Sequence, residues 1–458
     1  MSRYSPAIEN LSPDALQELQ WKKLLYHLKH AYDTNPFYRT RWDRAGVTLD
    51  KIADPKAFRE LVPLITKADL LADQKENPPY GTRMGFRDQD LVGLYWTSGT
   101  SGIGQELYGH TTVDTWYYGL TWSHGLYWQG VRRGNVLFNT WPGSVGQLAG
   151  PDSLTRGLIL LGANGIHIGT QSTDEKLKYM RRFPPKHLAV VPAYLQRLAA
   201  ACAENGFTPR EAFPNLESIV LATESFGVDW AEQMEEIWGC RLHEMYGSTQ
   251  QGGGLAFTCE LGAVHDHQPG HMHVLEHLSY VEVLDKETRE PVGPGEEGEL
   301  VLTTLNRDSS TLVRFATDDK VVFLPRGDCR CGRPFFSFRS GAVARYDDMI
   351  KMKMVNVWPA AIDAIVLMRP EVAEYQGRVY MTESGNETVE VRVEFIPELA
   401  HDHRRTLERD LAAVLRERVG VRMDVVEAAA PLPRFEFKVR RWTDERKAGR
   451  ERVLYTVS

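Results

Sequence analysis

The stretch Leu91-Val-Gly-Leu-Tyr-Trp-Thr-Ser-Gly-Thr-Ser-Gly-Ile-Gly-Gln-Glu-Leu-Tyr-Gly-His110 decides how the rest of the chain is read. A strand-like run leads into it, another leads out, and small or hydroxylic residues fill the middle. Gly99, Gly102 and Gly104 lack a Cβ, so the backbone there can turn tightly and aim several N–H groups at one anion. Thr97, Ser98, Thr100 and Ser101 add hydroxyl donors. Together they make a candidate phosphate loop. No Lys completes it in the Walker manner, which separates it from the loop of P-loop NTPases. A plain surface turn has the same composition, so the flanking sequence must decide.

Downstream, the short apolar runs Gly134–Asn139, His187–Val191 and Ser218–Ala222 are each separated by a longer helix-like stretch. That alternation predicts an α/β fold with a largely parallel sheet. Pro192 opens one helix, through Ala201, as Pro does at a first turn, and 229–238 reads as another. Upstream, Leu24, Leu25, Leu28 and Ala31 recur at helical spacing from Leu16 to about Asp33. Past residue 360, Val389–Phe395 alternates like a half-buried strand and Thr406–Arg418 has helical periodicity, giving a compact α+β unit.

The loop resembles the Thr-Ser-Gly-Thr-Thr-Gly signature of the adenylate-forming superfamily, and further matches follow in order, most similar to the phenylacetate-CoA ligase family. His30–Gly46 and Pro63–Leu70 resemble that family's opening segments. Leu221-Ala-Thr-Glu-Ser225 stands where the family has a Gly-Ala-Glu-Pro turn on the adenine side, which makes Glu224 the matching carboxylate. Leu242–Gln250 resembles the Tyr-Gly-x-Ser/Thr-Glu signature: Tyr246 would flank adenine, with Gly247 beside it, and Thr249 would meet phosphate. Gln250 replaces the Glu that holds Mg²⁺ and has no charge to offer, so water or another carboxylate must complete that shell. Arg314-Phe-Ala-Thr-Asp-Asp319 sits where the family carries Arg-Tyr-Arg-Thr-Gly-Asp; Asp319 would bind the ribose hydroxyls, while Ala316 and Asp318 depart.

Ser340–Pro359 resembles the family's joint between a large and a small domain. Arg345 would contact the nucleotide and Asp347 would sit at the pivot. Leu432–Arg441 resembles Pro-Arg-x-x-Gly-Lys-x-x-Arg, which assigns Lys438 as the adenylation lysine. The resemblance spans nearly the whole chain. It implies a large N-terminal multi-sheet domain, 1–345, that binds nucleotide and acid, and a small mobile α+β domain, 346–458, that carries the lysine. It also implies ATP, Mg²⁺ and CoA as cofactors, a small carboxylic acid as substrate and a homodimer.

Four departures bear on the reaction: Ile103 for a loop Lys, Gln250 for the metal Glu, Phe437 for Gly beside the lysine, and Met354 for the Gly after the hinge. In CoA-using members of the family the chain resembles, that Gly helps leave a path for the pantetheine arm, which a long flexible Met would narrow or close. The expected activity is ATP-dependent formation of an acyl-adenylate from an aryl or arylacetic acid, followed by transfer to CoA. Transfer to an amine or another nucleophile, or nucleotide binding with little catalysis, are the alternatives. Trp141 and Tyr194 fit a flat substrate, and core packing explains them nearly as well.

A second constellation has its own chemistry. Cys259, a His six positions on, and Cys329-Arg-Cys331 supply thiolates and an imidazole, the ligands of a tetrahedral zinc site. His267, His271 and His273 compete with His265 for the fourth place. The pattern in phenylacetate-CoA ligase-like proteins favours His265. Four protein ligands leave no open position, so the zinc would be structural.

Composition bounds the rest. At 458 residues with 42% apolar and 25% charged residues, the chain is ordinary for two or three packed domains. Its net charge of −7 gives no reason to expect nucleic acid. No run of about 18 apolar residues suggests a membrane span, and five scattered cysteines do not make a disulfide framework. A cytoplasmic location is expected.

Overall fold

The computed structural model describes residues 3–86, 90–97, 105–141, 149–346, 348–353, 355–382, 385–434, 441–446 and 452–453. Ser98, Gly99, Thr100, Ser101, Gly102, Ile103, Asp347, Met354, Phe437 and Lys438 lie outside them.

After a single turn of helix at Pro6–Glu9, the chain forms a long helix, Pro13–Thr34. The Ser12 side chain accepts the Ala15 N–H at 3.2 Å and Pro13 presets the first turn. The apolar side of this helix, with Leu24, Leu28 and Ala31, joins Trp42, Leu300 and Phe315 in one hydrophobic cluster.

A single mixed sheet forms the backbone of the molecule. From one edge, Asn164–His167, Val136–Asn139, His187–Val190, Ser218–Leu221 and Arg241–Ser248 run parallel. Helices 149–161, 173–182, 192–204 and 228–238 lie between strands in sequence. Every residue of His187–Val190 and Ser218–Leu221 is buried, as expected of strands covered on both faces. The three apolar runs read from the sequence are these central strands. From Gly253–Thr258 onward the pairing turns antiparallel, through 271–274, 337–339, 315–324, 297–304 and 279–284. The parallel half is thus joined edge to edge with an antiparallel half, and Arg241–Ser248 is the last parallel strand before the change.

A separate core follows at the C-terminal end. Five strands in the order 424–427, 387–395, 372–381, 442–444 and 452–453 pack with helices Pro359–Val366 and His401–Val419. Trp442 is fully buried there, against Gly377, where an added Cβ would come within 2.5 Å of the indole. No helix among the described residues is long and apolar enough to cross a membrane.

Candidate active site and metal centre

The site lies where the sheet changes from parallel to antiparallel, the place where open α/β sheets leave a crevice at their strand ends. Strand Arg241–Ser248 carries Tyr246 and Gly247 to that edge. The Tyr246 hydroxyl donates to Asp319, which also accepts from Arg345 Nη1 at 3.4 Å. Asp319 and Arg345 face each other as antiparallel partners, so the register itself delivers the pair. Burial, reinforced by the Asp319 charge, holds the Tyr246 phenol well above its usual range, so it stays a donor.

Glu224, Tyr246, Gly247, Asp319, Arg345 and Trp358 line one cleft. The structure therefore brings together five of the residues assigned from sequence and adds Trp358, whose indole N–H donates to the Arg345 carbonyl at 2.9 Å. Its place in the hinge segment, just before Pro359, was the available signal.

The turn at Glu224 is backbone-constrained, with Thr223 in the left-handed region at φ 72°. The Glu224 carboxylate accepts the Ala193 N–H at 2.8 Å, at the start of helix Pro192–Glu204. The residue is half-buried with its other carboxylate oxygen sealed from solvent, and burial pushes the carboxyl up to about 7. Asp318 occupies a left-handed position at φ 65°. This accounts for the Gly of the family pattern, which Asp here replaces at a cost of roughly 1 kcal/mol.

Gly247 is required by close approach. A Cβ there would lie 1.8 Å from the Gly253 carbonyl oxygen of the paired strand. Gly247→Ala is expected to force the two strands apart, with a loss of roughly 2–3 kcal/mol, read as a lower melting temperature together with weaker nucleotide binding by calorimetry.

Thr249 and Gln250 follow in a short 3₁₀ turn, Thr249–Gln251. Gln250 Nε2 donates to Glu106 at 3.2 Å. Glu106 is fully buried, accepts the Thr97 hydroxyl at 2.6 Å and pairs with Lys67 at 3.3 Å. In return, the Glu106 N–H donates to Thr97 Oγ at 3.0 Å. The two ends of the loop 98–104 are therefore clasped to each other and to the 3₁₀ turn. Sequence reading had not singled out Glu106; an isolated acid after a glycine-rich loop carries no pattern of its own.

The thiol constellation is gathered, with one correction. Ligand atoms of Cys259, Cys329, Cys331 and His273 all lie within 4.8 Å of one another and all four residues are buried. The fourth member is His273, not His265. Asp266 and His267, both at positive φ (51° and 58°), make the two-residue turn of a small hairpin between 264–265 and 268–269. That hairpin holds His265 outward, 3.0 Å from Asp266 and 3.2 Å from Arg330. His273 belongs to the next strand, in register with Phe257, and Cys259 shares the Phe257 face two residues on. Cys331 Sγ lies 3.3 Å from His273 Nε2, and Cys259 and Cys329 sulfurs are 3.9 Å apart. A tetrahedron with Zn–S bonds of about 2.3 Å has sulfurs roughly 3.8 Å apart, so the donor set fits zinc. Hydrogen bonds from the Cys259 and Cys329 thiols, then the His273 charge, hold the Cys331 thiol far below its ordinary range.

Comparison with known proteins agrees with this architecture. Residues 154–306 match the model of the AMP-binding enzyme family, and residues 354–446 that of the AMP-binding enzyme C-terminal domain. The chain is 30% identical to the phenylacetate-coenzyme A ligase of Thermus thermophilus, covering 97% of this chain and 100% of that one. It is 26% identical to the Escherichia coli enzyme of the same name, over 96% and 97%. Among solved structures, 2-hydroxyisobutyryl-CoA ligase in the postadenylation state with an acyl-AMP superposes with a TM-score of 0.85 at 20% identity, covering 96% of this chain and 92% of that one. With family models matched in the middle of the chain and in its C-terminal part, near-complete coverage of a 30% identical relative and a shared fold, the chain belongs to the phenylacetate-CoA ligase family of adenylate-forming enzymes.

Proposed function

We propose that the protein activates a small carboxylic acid, aryl or arylacetic, with ATP and passes the acyl group to CoA. The observation that carries this reading is the cleft in which Tyr246, Asp319 and Arg345 are hydrogen-bonded together and which Glu224 and Gly247 also line. A carboxylate oxygen attacks the α-phosphorus of ATP and the bond to pyrophosphate breaks. CoA thiolate then attacks the acyl carbon and the bond to AMP breaks. Tyr246 flanks the adenine, Asp319 accepts the ribose hydroxyls, and Arg345 and Thr249 hold phosphate oxygens. Ser98, Gly99, Thr100, Ser101 and Gly102 supply amide and hydroxyl donors to the same phosphates. Magnesium bound with ATP would withdraw charge from the phosphates; with Gln250 uncharged, Glu106, which pairs with Gln250 and Lys67, would have to give up one of those contacts to help hold it.

The small domain, 346–458, turns about Asp347 between the two steps and brings Lys438 to the first. Zinc held by Cys259, His273, Cys329 and Cys331 is structural. The enzyme is a cytoplasmic homodimer, which sedimentation of the purified chain tests.

Pyrophosphate release is expected with aryl or arylacetic acids, and a thioester of matching mass only when CoA is present. Release without thioester would transfer the acyl group to another nucleophile. No release with any acid of a broad panel would leave only a nucleotide-binding protein.

A further inference from the structure

Glu224 has one oxygen bonded to the Ala193 amide and the other, fully buried, without a partner. A buried acceptor left open is uncommon enough to need an explanation. Glu224 also lines a second cavity, of about 50 Å³, enough for a water molecule. One wall is made by the helix starting at Pro192 and the segment Glu224–Trp230, the other by helix Pro359–Val366 and Arg441. The cavity thus lies on the seam between the large sheet and the C-terminal unit.

Arg441 is itself buried. Its guanidinium is held by Glu374 at 2.7 and 3.2 Å and by Asp363 at 3.4 Å. It stands three residues after Lys438 in the chain.

We propose that Glu224 and Arg441 form a latch across this seam, directly or through one water, that seats the C-terminal unit for adenylation and so positions the lysine-bearing segment. The inference rests on the two-step reading above and gives Glu224 a positioning role toward the seam in place of one toward adenine. The groups facing the Glu224 carboxylate are the Arg441 guanidinium, which attracts it, and Asp363 and Glu374, which repel it. Arg441 is partly neutralised by those two acids, so the latch is a modest contact that a domain rotation can break. Protonating Glu224 removes the attraction. Its carboxyl is pushed up to about 7 by burial, so the latch is engaged above that pH and released below it.

The test is Glu224→Gln, which keeps the oxygen that accepts the Ala193 amide and removes the charge. Two half-reactions are measured separately: pyrophosphate exchange, and thioester formation from supplied acyl-adenylate and CoA. ATP affinity is measured by calorimetry, and hydrogen exchange in 359–366 is followed in the resting protein. Expected are an adenylation rate lowered about tenfold, unchanged ATP affinity, an unchanged thioester step, and exchange in 359–366 faster by a similar factor. The wild-type adenylation rate should also rise through a midpoint near 7 that the variant lacks. Equal loss in both half-reactions, a loss explained by weaker ATP binding, or unchanged exchange in 359–366 would each overturn the latch. The exchange measurement needs no acid substrate, so it judges the latch even if no acid is activated and the proposed reaction fails.

Discussion

Replacing Cys331 with serine is expected to abolish zinc binding and lower the melting temperature of the whole chain by roughly 10 °C. The four proposed ligands come from three separate places: Cys259 just past strand 253–258, His273 on strand 271–274, and Cys329 with Cys331 on the turn that follows strand 315–324. A metal joining them closes a covalent-like loop of some 70 positions between Cys259 and Cys329. Loss of a structural metal belongs to the few mechanisms that cost roughly 4 kcal/mol or more in a single substitution. At about 2–4 °C per kcal/mol for a large domain, that gives the shift stated. A serine hydroxyl is a poor zinc ligand and leaves the polar His273 edge buried without its partner. Metal analysis and a thermal melt with and without chelator check the result. His265→Ala is the discriminating control: it should leave both zinc content and melting temperature nearly unchanged. Equal loss in the two variants would return the fourth position to His265.

That correction shows what linear spacing can carry and what it cannot. Cys-x-Cys is local, so Cys329 and Cys331 were legible together. The histidine depends on hairpin handedness at Asp266 and His267 and on the register of 271–274 against 253–258, and neither is written in a six-residue interval. The strands 187–190 and 218–221 were legible for the opposite reason: burial on both faces leaves apolar, β-branched runs in the sequence itself. Tyr246, Asp319 and Arg345 came from signatures, and the antiparallel pairing of Asp319 with Arg345 explains why those distant signatures meet. Glu106 was invisible because its role is contact with Gln250 and Thr97, a meaning that arises only when loop and turn are brought together. Arg441 and Arg446 were likewise unremarkable as sequence, and folding pairs them with Glu374, Asp444 and Glu387.

Lys438→Ala is expected to lower adenylation by a factor of roughly 10²–10³, the usual size for removing one aimed donor from developing charge. Its effect on thioester formation from supplied acyl-adenylate should be small. Negative charge gathers on the α-phosphate oxygens as the carboxylate attacks, and an ammonium placed there stabilises the transition state more than the bound substrates. Lys438 lies outside the described residues, but the chain on either side is firmly tied. Arg434 grips Glu394 through two nitrogens at 2.7 and 2.8 Å, and the Leu432 N–H donates to the same carboxylate at 2.7 Å. On the other side Arg441 is held by Glu374, its carbonyl accepts the Gly377 N–H at 2.7 Å, and Trp442 is fully buried. Both anchors belong to the C-terminal unit. Lys438→Arg should recover little, because a planar guanidinium on a different stem does not reproduce a compact ammonium. Pyrophosphate exchange and single-turnover thioester formation, measured on the same preparations, separate the two steps. Retained exchange in Lys438→Ala would move the role to another cation, and equal loss in both steps would mean the substitution had disturbed the fold of the small unit rather than its chemistry.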